Sequence, residues 1–194
     1  GHRKCIPVID NYEELDLLSE RIEGDFEIGI RIASEEEPKF EFYTSRLGIG
    51  YRNIVPFYNR DIKERSNVKL KMLHFFINTG IRDTAYYWNE LTKCLKVYID
   101  LKRVCPDLTG LNIGGGFPIK NSLAFDYDYA YMIDEIVHQI KLACEEAEVD
   151  PPDIFTEFGS FTVGESGGAI YEVLYQKQQN DREKWNMINS SFIT

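Results

Sequence analysis

Three short stretches hold residues whose types and spacing could do chemistry: "LHFFINTG" (73–80), "LNIGGGFPIK" (111–120) and "TEFGS" (156–160). Gly114, Gly115 and Gly116 give up three side chains in a row, and glycine loses more conformational freedom on folding than any other residue. One reason would be a tight turn. Another would be a ligand that must approach bare backbone, since glycines at a strand end can present N–H groups to a phosphate. Thr79, between Asn78 and Gly80, adds a hydroxyl donor. Glu157 sits at the end of an apolar run, where a carboxylate is costly unless something pairs with it. Together these residues would make an anion cradle beside a carboxylate.

Each also has a plainer reading. A glycine-rich match is weak evidence by itself, so the tight turn stays open. His74 alternates with Phe76 and reads as a packed strand histidine. His138 falls in the middle of a helical pattern and reads as a surface or interface residue. Glu157 could form a structural ion pair with Arg31, another strand-end residue. The acidic run "EEEP" (35–38) reads as a solvated loop.

The elements that must position these residues follow a rhythm. "CIPVID" (5–10), "FEIGIRI" (26–32), "VKLKMLHFF" (68–76), "LTGLNI" (108–113) and "DIFTEF" (153–158) read as buried strands. Between them lie helical patterns. Asp10 with Glu13 resembles a capping box ahead of Leu15, Leu17, Leu18 and Ile22. Residues 34–50 read mostly as loop, with a helix from about Tyr51. Asp83 or Thr84 caps a helix with Leu91, Cys94, Leu95, Tyr98 and Ile99 on one face. Residues 128–147 form an amphipathic pattern. Repeated strand–loop–helix units imply an α/β fold with a parallel sheet, either open and doubly wound or an arc of an eight-stranded barrel. Both arrangements place ligands at the carboxyl ends of the strands. The rhythm stops at Gly164–Gly168, and residues 169–178 have more β than helical character.

Composition sets the outer bounds. The 194 residues make one domain, or most of a larger one. A net charge of −10 and a pI near 4.9 argue against a nucleic-acid partner. The longest apolar runs are too short to span a bilayer, and no signal peptide is visible. Cys5, Cys94, Cys105 and Cys144 form no C-x-x-C pair, so neither a disulfide framework nor a metal site is expected, and a reducing cytoplasm is the expected location. Gly1-His2 at the start resembles the remnant of a cleaved tag. The chain stops at "NSSFIT" without a polar tail. A segment of a longer protein is expected.

Taken in order, these stretches resemble pyridoxal-phosphate decarboxylases of the alanine-racemase-like barrel type (fold type III). "PVIDNYEEL" resembles that family's D-s-x-x-E-L, "GIRI" its L-R-I, and "SRLGI" its S-K-F-G-I. "LHFFINTG" resembles L-H-F-H-x-G-S, "LNIGGGFP" resembles L-D-I-G-G-G-F-P, and "TEFGSFTVGESG" resembles x-E-P-G-R-x-x-V-x-x-x-G. The long "GGGFPIKNSLAFDYDYAYMIDEI" stretch and the Q/K-rich tail look most like bacterial biosynthetic arginine decarboxylases.

The resemblance implies a partial (β/α)8 TIM barrel, made of its later strands, over residues 1–164. Residues 165–194 would be the linker and first strand of a C-terminal β domain. It implies pyridoxal 5'-phosphate as cofactor, with Mg2+ in the parent enzyme. The phosphate would lie in the cradle of Gly114, Gly115, Gly116 and Thr79, and Glu157 would hold the pyridine nitrogen protonated, with Arg31 close to that pair. The ring-stacking histidine of the family falls on Phe76, which can stack on a pyridine face but cannot hydrogen-bond to it. The family's proline and arginine after the glutamate fall on Phe158 and Ser160, which removes a cation from the phosphate site.

No catalytic residue is expected inside the chain. The Schiff-base lysine would lie upstream of residue 5, and the catalytic cysteine beyond Thr194. The activity implied for the parent protein is decarboxylation of L-arginine to agmatine for polyamine synthesis, by a homo-oligomer acting on a small amino acid. The alternatives are a related decarboxylase acting on diaminopimelate, ornithine or carboxynorspermidine, and a non-catalytic homologue that keeps the barrel as a regulatory scaffold.

Overall fold

A computed structural model of the chain describes residues 5–34, 45–77, 79–120 and 125–191. Asn78, most of the 34–50 loop with its acidic run, and Gly1-His2 lie outside the described residues.

β-Branched and apolar residues concentrate in five short parallel strands: β1 (Val8–Ile9), β2 (Phe26–Ala33), β4 (Val68–His74), β5 (Gly110–Asn112) and β6 (Asp153–Phe155). They lie side by side in the order β1-β2-β4-β5-β6. The two-residue β3 (Ile49–Gly50) pairs in parallel with the end of β2, at Ile32 and Ala33. A doubly wound sheet reverses its strand order at a switch point. This one never does, so it is an arc of a barrel.

Helices fill the connections: α1 (Glu13–Arg21), α2 (Tyr51–Phe57, continued by a π turn over Tyr58–Ile62), α3 (Ala85–Val104) and α4 (Tyr129–Glu146). A short α5 (Gly159–Val163) follows β6 and has no evident signal in the sequence. The tail forms an antiparallel hairpin of β7 (Val173–Gln178) and β8 (Lys184–Ile188).

Capping shows where local chemistry sets the boundaries. Thr84 Oγ1 accepts the Tyr87 N–H at 3.2 Å and opens α3, while Asp83 accepts the Trp88 indole N–H at 2.7 Å. Asp128 caps α4 by accepting the Tyr131 N–H. At α1 the expected Asp10–Glu13 box does not form, and Asn11 and Glu14 supply the side-chain acceptors instead. Asn11 Oδ1 accepts the Glu14 N–H, and the Glu14 carboxylate accepts the Asp10 N–H. Asp10 instead accepts the Gly48 N–H at 2.8 Å, which holds β3 beside the end of β1.

Strand alternation sorts the side chains by face. Ile28, Ile30 and Ile32 of β2, Leu70 and Leu73 of β4 with Phe75 beyond it, and Leu111 and Ile113 at β5 are all buried. They share a core with Leu91, Tyr98 and Leu101 of α3 and Ile136 and Ile140 of α4. The opposite face carries every residue singled out for chemistry on these strands. Its register rows are Gly29–Met72–Gly110 and, one step nearer the carboxyl ends, Arg31–His74–Asn112–Phe155.

Leu73 is completely buried in the middle of this arrangement. Leu73→Ala is expected to destabilise the chain by about 2–5 kcal/mol through lost burial and a residual cavity. A urea titration should show a lower midpoint at unchanged slope.

Candidate active site

The strand ends bring Arg31, His74, Asn112 and Glu157 together. The last three are in direct reach of one another. Asn112 Nδ2 donates to Glu157 Oε1 at 2.8 Å, and His74 Nε2 lies 3.5 Å from the same oxygen. Glu157 makes no ion pair with Arg31 among the described residues, so the purely structural pairing is not what holds it. The Arg31 guanidinium instead stands over the Phe76 ring, 5.5 Å from its centroid, in cation–π geometry. His74 is 7% exposed and Asn112 8%, while the Glu157 side chain is half open at 52%. The carboxylate is therefore anchored from below and open above.

His74 is more than a packed strand histidine. Burial pushes its pKa below the ordinary value of 6.5. The Glu157 carboxylate pulls it back up, and the Arg31 cation pushes it down again. The imidazole is thus held neutral near pH 7. The unfolded chain binds the additional proton first, so this group contributes stability above about pH 6.5, and that contribution is lost as pH falls through the folded value. Melting temperature should drop on acidification over that window, and His74→Gln should flatten this part of the profile.

The glycine run makes a tight turn packed against opposing backbone. Gly114 and Gly116 adopt φ of 70° and 110°, a region that side chains disfavour. A Cβ on Gly115 would lie less than 3.0 Å from the Glu157 carbonyl oxygen, and one on Gly80 would lie 2.7 Å from the Gly116 carbonyl oxygen. Three strand-end loops therefore meet backbone to backbone here, tied by Glu157 N–H to Gly114 C=O at 2.9 Å and Ile81 N–H to Gly116 C=O at 3.0 Å. The Gly114 N–H is taken by Asn112 Oδ1 at 2.8 Å. Those of Gly115 and Gly116 find no acceptor among the described residues. The turn is tight, it lies against Gly80 and Ile81, and it leaves two backbone donors without an acceptor among the described residues.

The two substitutions after Glu157 have visible consequences. Phe158 packs on Phe117, the residue after the glycines, with ring centroids 4.3 Å apart. It thereby ties the glutamate loop to the glycine loop. Ser160 is exposed in the first turn of α5 and supplies no charge.

These features fit a phosphorylated aromatic cofactor. Two uncommitted N–H groups offer an anion site, and an open carboxylate stands next to it. The buried Arg31 Nε and His74 Nε2 also lack hydrogen-bond partners among the described residues, in a region where buried polar atoms are usually satisfied. Sequence reasoning misses Asn112. Its signal is a polar residue in an apolar strand, two positions before the first glycine. His74 is visible in the sequence but reads there as core.

Comparisons with known proteins agree with this geometry. The family described as "Pyridoxal-dependent decarboxylase, pyridoxal binding domain" matches residues 2–164. Biosynthetic arginine decarboxylase 2 of Synechocystis sp. is 25% identical over 195 residues, covering 92% of this chain and 29% of that protein. The chloroplastic arginine decarboxylase 1 of Arabidopsis thaliana is 26% identical, over 90% of this chain and 27% of that one. The chain thus spans less than a third of the length of these relatives.

Among solved structures, lysine decarboxylase from Selenomonas ruminantium superposes with a TM-score of 0.68 at 19% identity, covering 93% of this chain and 45% of that one. The biosynthetic arginine decarboxylase of Campylobacter jejuni gives a TM-score of 0.60 at 23% identity, covering 79% and 26%. At these identities the likeness is one of fold, and that fold is the decarboxylase barrel of which the strands β1 to β6 form an arc. The run of sequence matches, the arc of parallel strands and the cluster at their carboxyl ends lead to one assignment: the chain belongs to the pyridoxal-binding domain family of the pyridoxal-dependent decarboxylases.

Proposed function

We propose that the chain forms part of the cofactor-binding barrel of a pyridoxal-phosphate-dependent arginine decarboxylase, which converts L-arginine to agmatine and CO2. The observation that carries this reading is the meeting of an open carboxylate, Glu157, with the N–H groups of Gly115 and Gly116, which find no acceptor among the described residues, at the strand ends. Curated arginine decarboxylases matching nine-tenths of the chain support the choice of substrate.

In this reading Gly114–Gly116 and Thr79 hold the phosphate, Glu157 faces the ring nitrogen, Phe76 lies against the ring, and Arg31 steadies Phe76 from its other side. The cofactor, when bound, supplies an electron sink for the charge left as CO2 departs. What the protein contributes is a fixed negative charge at the ring nitrogen. His74, held neutral, adds no positive charge to compete for that carboxylate. The phosphate is gripped by backbone donors in place of the missing arginine, which leaves its double charge less fully neutralised.

The same reading makes the longer protein a cytoplasmic homo-oligomer acting on a small amino acid. Among the described residues no helix is long and apolar enough to cross a membrane. Among the described residues no group of three or more His, Cys, Asp or Glu side chains is placed to hold a metal ion. A second reading, a non-catalytic homologue, draws on Phe76 and Ser160, where two hydrogen-bonding groups of the family are absent.

The deciding experiment is CO2 release by the purified full-length protein, offered arginine, ornithine, diaminopimelate and carboxynorspermidine separately. Turnover of arginine alone, with agmatine formed in equal amount, is expected. Turnover of another substrate would reassign the specificity, and bound cofactor without any turnover would favour the scaffold. No lysine lies among the residues gathered at the strand ends, so the 194-residue chain by itself is expected to release no CO2 from arginine. Turnover by the pure chain would overturn the placement of the catalytic groups outside it.

A further inference from the structure

The side-chain amide of Asn112 is committed at both ends. Oδ1 accepts the Gly114 N–H and Nδ2 donates to Glu157 Oε1, each at 2.8 Å. A backbone N–H can only donate, so the oxygen of the amide must face Gly114 and its NH2 must face the carboxylate. The Glu157 N–H in turn donates to the Gly114 carbonyl at 2.9 Å. Three hydrogen bonds thus close a ring through Asn112, Gly114 and Glu157, and they join the glycine turn after β5 to the loop after β6.

The family motif that "LNIGGGFP" resembles has aspartate at this place. An aspartate could keep the Gly114 contact, but its second oxygen would meet Glu157 acceptor to acceptor. Two carboxylates at that distance cannot both ionise without strong repulsion.

We propose that Asn112 is a positioning residue for Glu157. Its amide clamps the carboxylate to the glycine turn, so that the acid and the anion cradle keep one spacing. Oε1 is occupied by the clamp, and Oε2 is left to face the ligand. The proposal rests on reading Glu157 as the partner of the cofactor's ring nitrogen. The charged or titratable groups facing the pair are Arg31 from β2 and His74 from β4, and both stay the same in every variant below.

The test uses the full-length protein as wild type, as Asn112→Asp, as Glu157→Gln, and as the double variant carrying both substitutions. Freed of cofactor, Asn112→Asp should melt below wild type. The gap should widen by about 2–4 °C as pH rises and the introduced carboxyl group and Glu157 give up the proton they share. In the double variant a glutamine NH2 can donate to the new carboxylate, reversing donor and acceptor, and the widening should disappear. Asn112→Asp should also raise the Kd for pyridoxal 5'-phosphate at least tenfold near pH 8.

A melting profile of Asn112→Asp parallel to wild type, or a double variant that widens like the single one, would show that no such clamp exists. The expected melting behaviour with an unchanged Kd would confine Asn112 to the fold and overturn its role toward the ligand. Glu157→Gln with undiminished kcat is a different failure. It would remove the ring-nitrogen reading while the melting comparison still reported the clamp.

Discussion

Glu157→Gln in the full-length protein is expected to lower kcat by at least tenfold, to about thirtyfold, while the fold survives. Truncating one side of a charge pair costs about 2–5 kcal/mol when the pair is buried. The Glu157 side chain is 52% exposed, so the lower end applies. About 2 kcal/mol corresponds to about thirtyfold, at 1.36 kcal/mol per tenfold. Stability should change little, because the glutamine carbonyl can still accept from Asn112 Nδ2. That hydrogen bond is the strong anchor of the side chain, at 2.8 Å. The substitution therefore removes charge and leaves geometry, which separates chemistry from scaffolding. Steady-state kinetics beside thermal melting checks it. Intact kcat with a lowered melting temperature would make Glu157 a structural residue and strike it from the site.

The second large effect belongs to Gly115. Its missing Cβ would lie less than 3.0 Å from the Glu157 carbonyl oxygen, too close for any rotamer to relieve, because the neighbour is backbone. Gly115→Val must push the glycine turn away from the Glu157 loop. Forcing atoms into a packed site costs about 1–3 kcal/mol, and here the displacement also separates the two N–H donors from the carboxylate. Cofactor affinity should fall by tenfold or more, together with a lower melting temperature. Gly115→Ala should do the same in smaller measure, since the first carbon makes the clash. Equilibrium dialysis of the cofactor against each variant reads this directly. Unchanged affinity in both would mean that the glycines serve the turn alone.

Much of this site is legible in the sequence. Gly114–Gly116, Thr79 and Glu157 stand out because each breaks an apolar strand pattern at its carboxyl end, which is where a parallel sheet presents chemistry. The βα rhythm is equally plain, but it leaves doubly wound and barrel arrangements open. Only the strand order, which is a tertiary fact, decides between them.

Asn112 and the role of His74 are hidden for another reason. Their importance lies in which strand stands beside which and in what register. His74 aligned with Asn112, and Asn112 with Phe155, is invisible to periodicity. The Asp10 cap fails for a related reason. A carboxylate near a helix start has a distant suitor, the Gly48 N–H, that local rules do not consider. That the glycine run packs backbone to backbone against two other loops is seen only with those loops in place.

The strand order also bears on how the chain reaches this state. Every strand of the arc ladders with the one made just before it, except β4, which passes over the short β3 to pair with β2. The longest ladder joins β2 and β4, of eight and seven residues, early in the chain. The sheet can therefore be assembled in the order in which the ribosome delivers it, each new strand docking on an edge that already exists. Each of these parallel pairings still closes a long connection before its ladder can form, and pairing of that kind is intrinsically slow. A corollary is that at every stage one apolar edge waits for a strand not yet made. In the chain described here that leading edge is β6, where Ile154 and Phe155 remain substantially exposed.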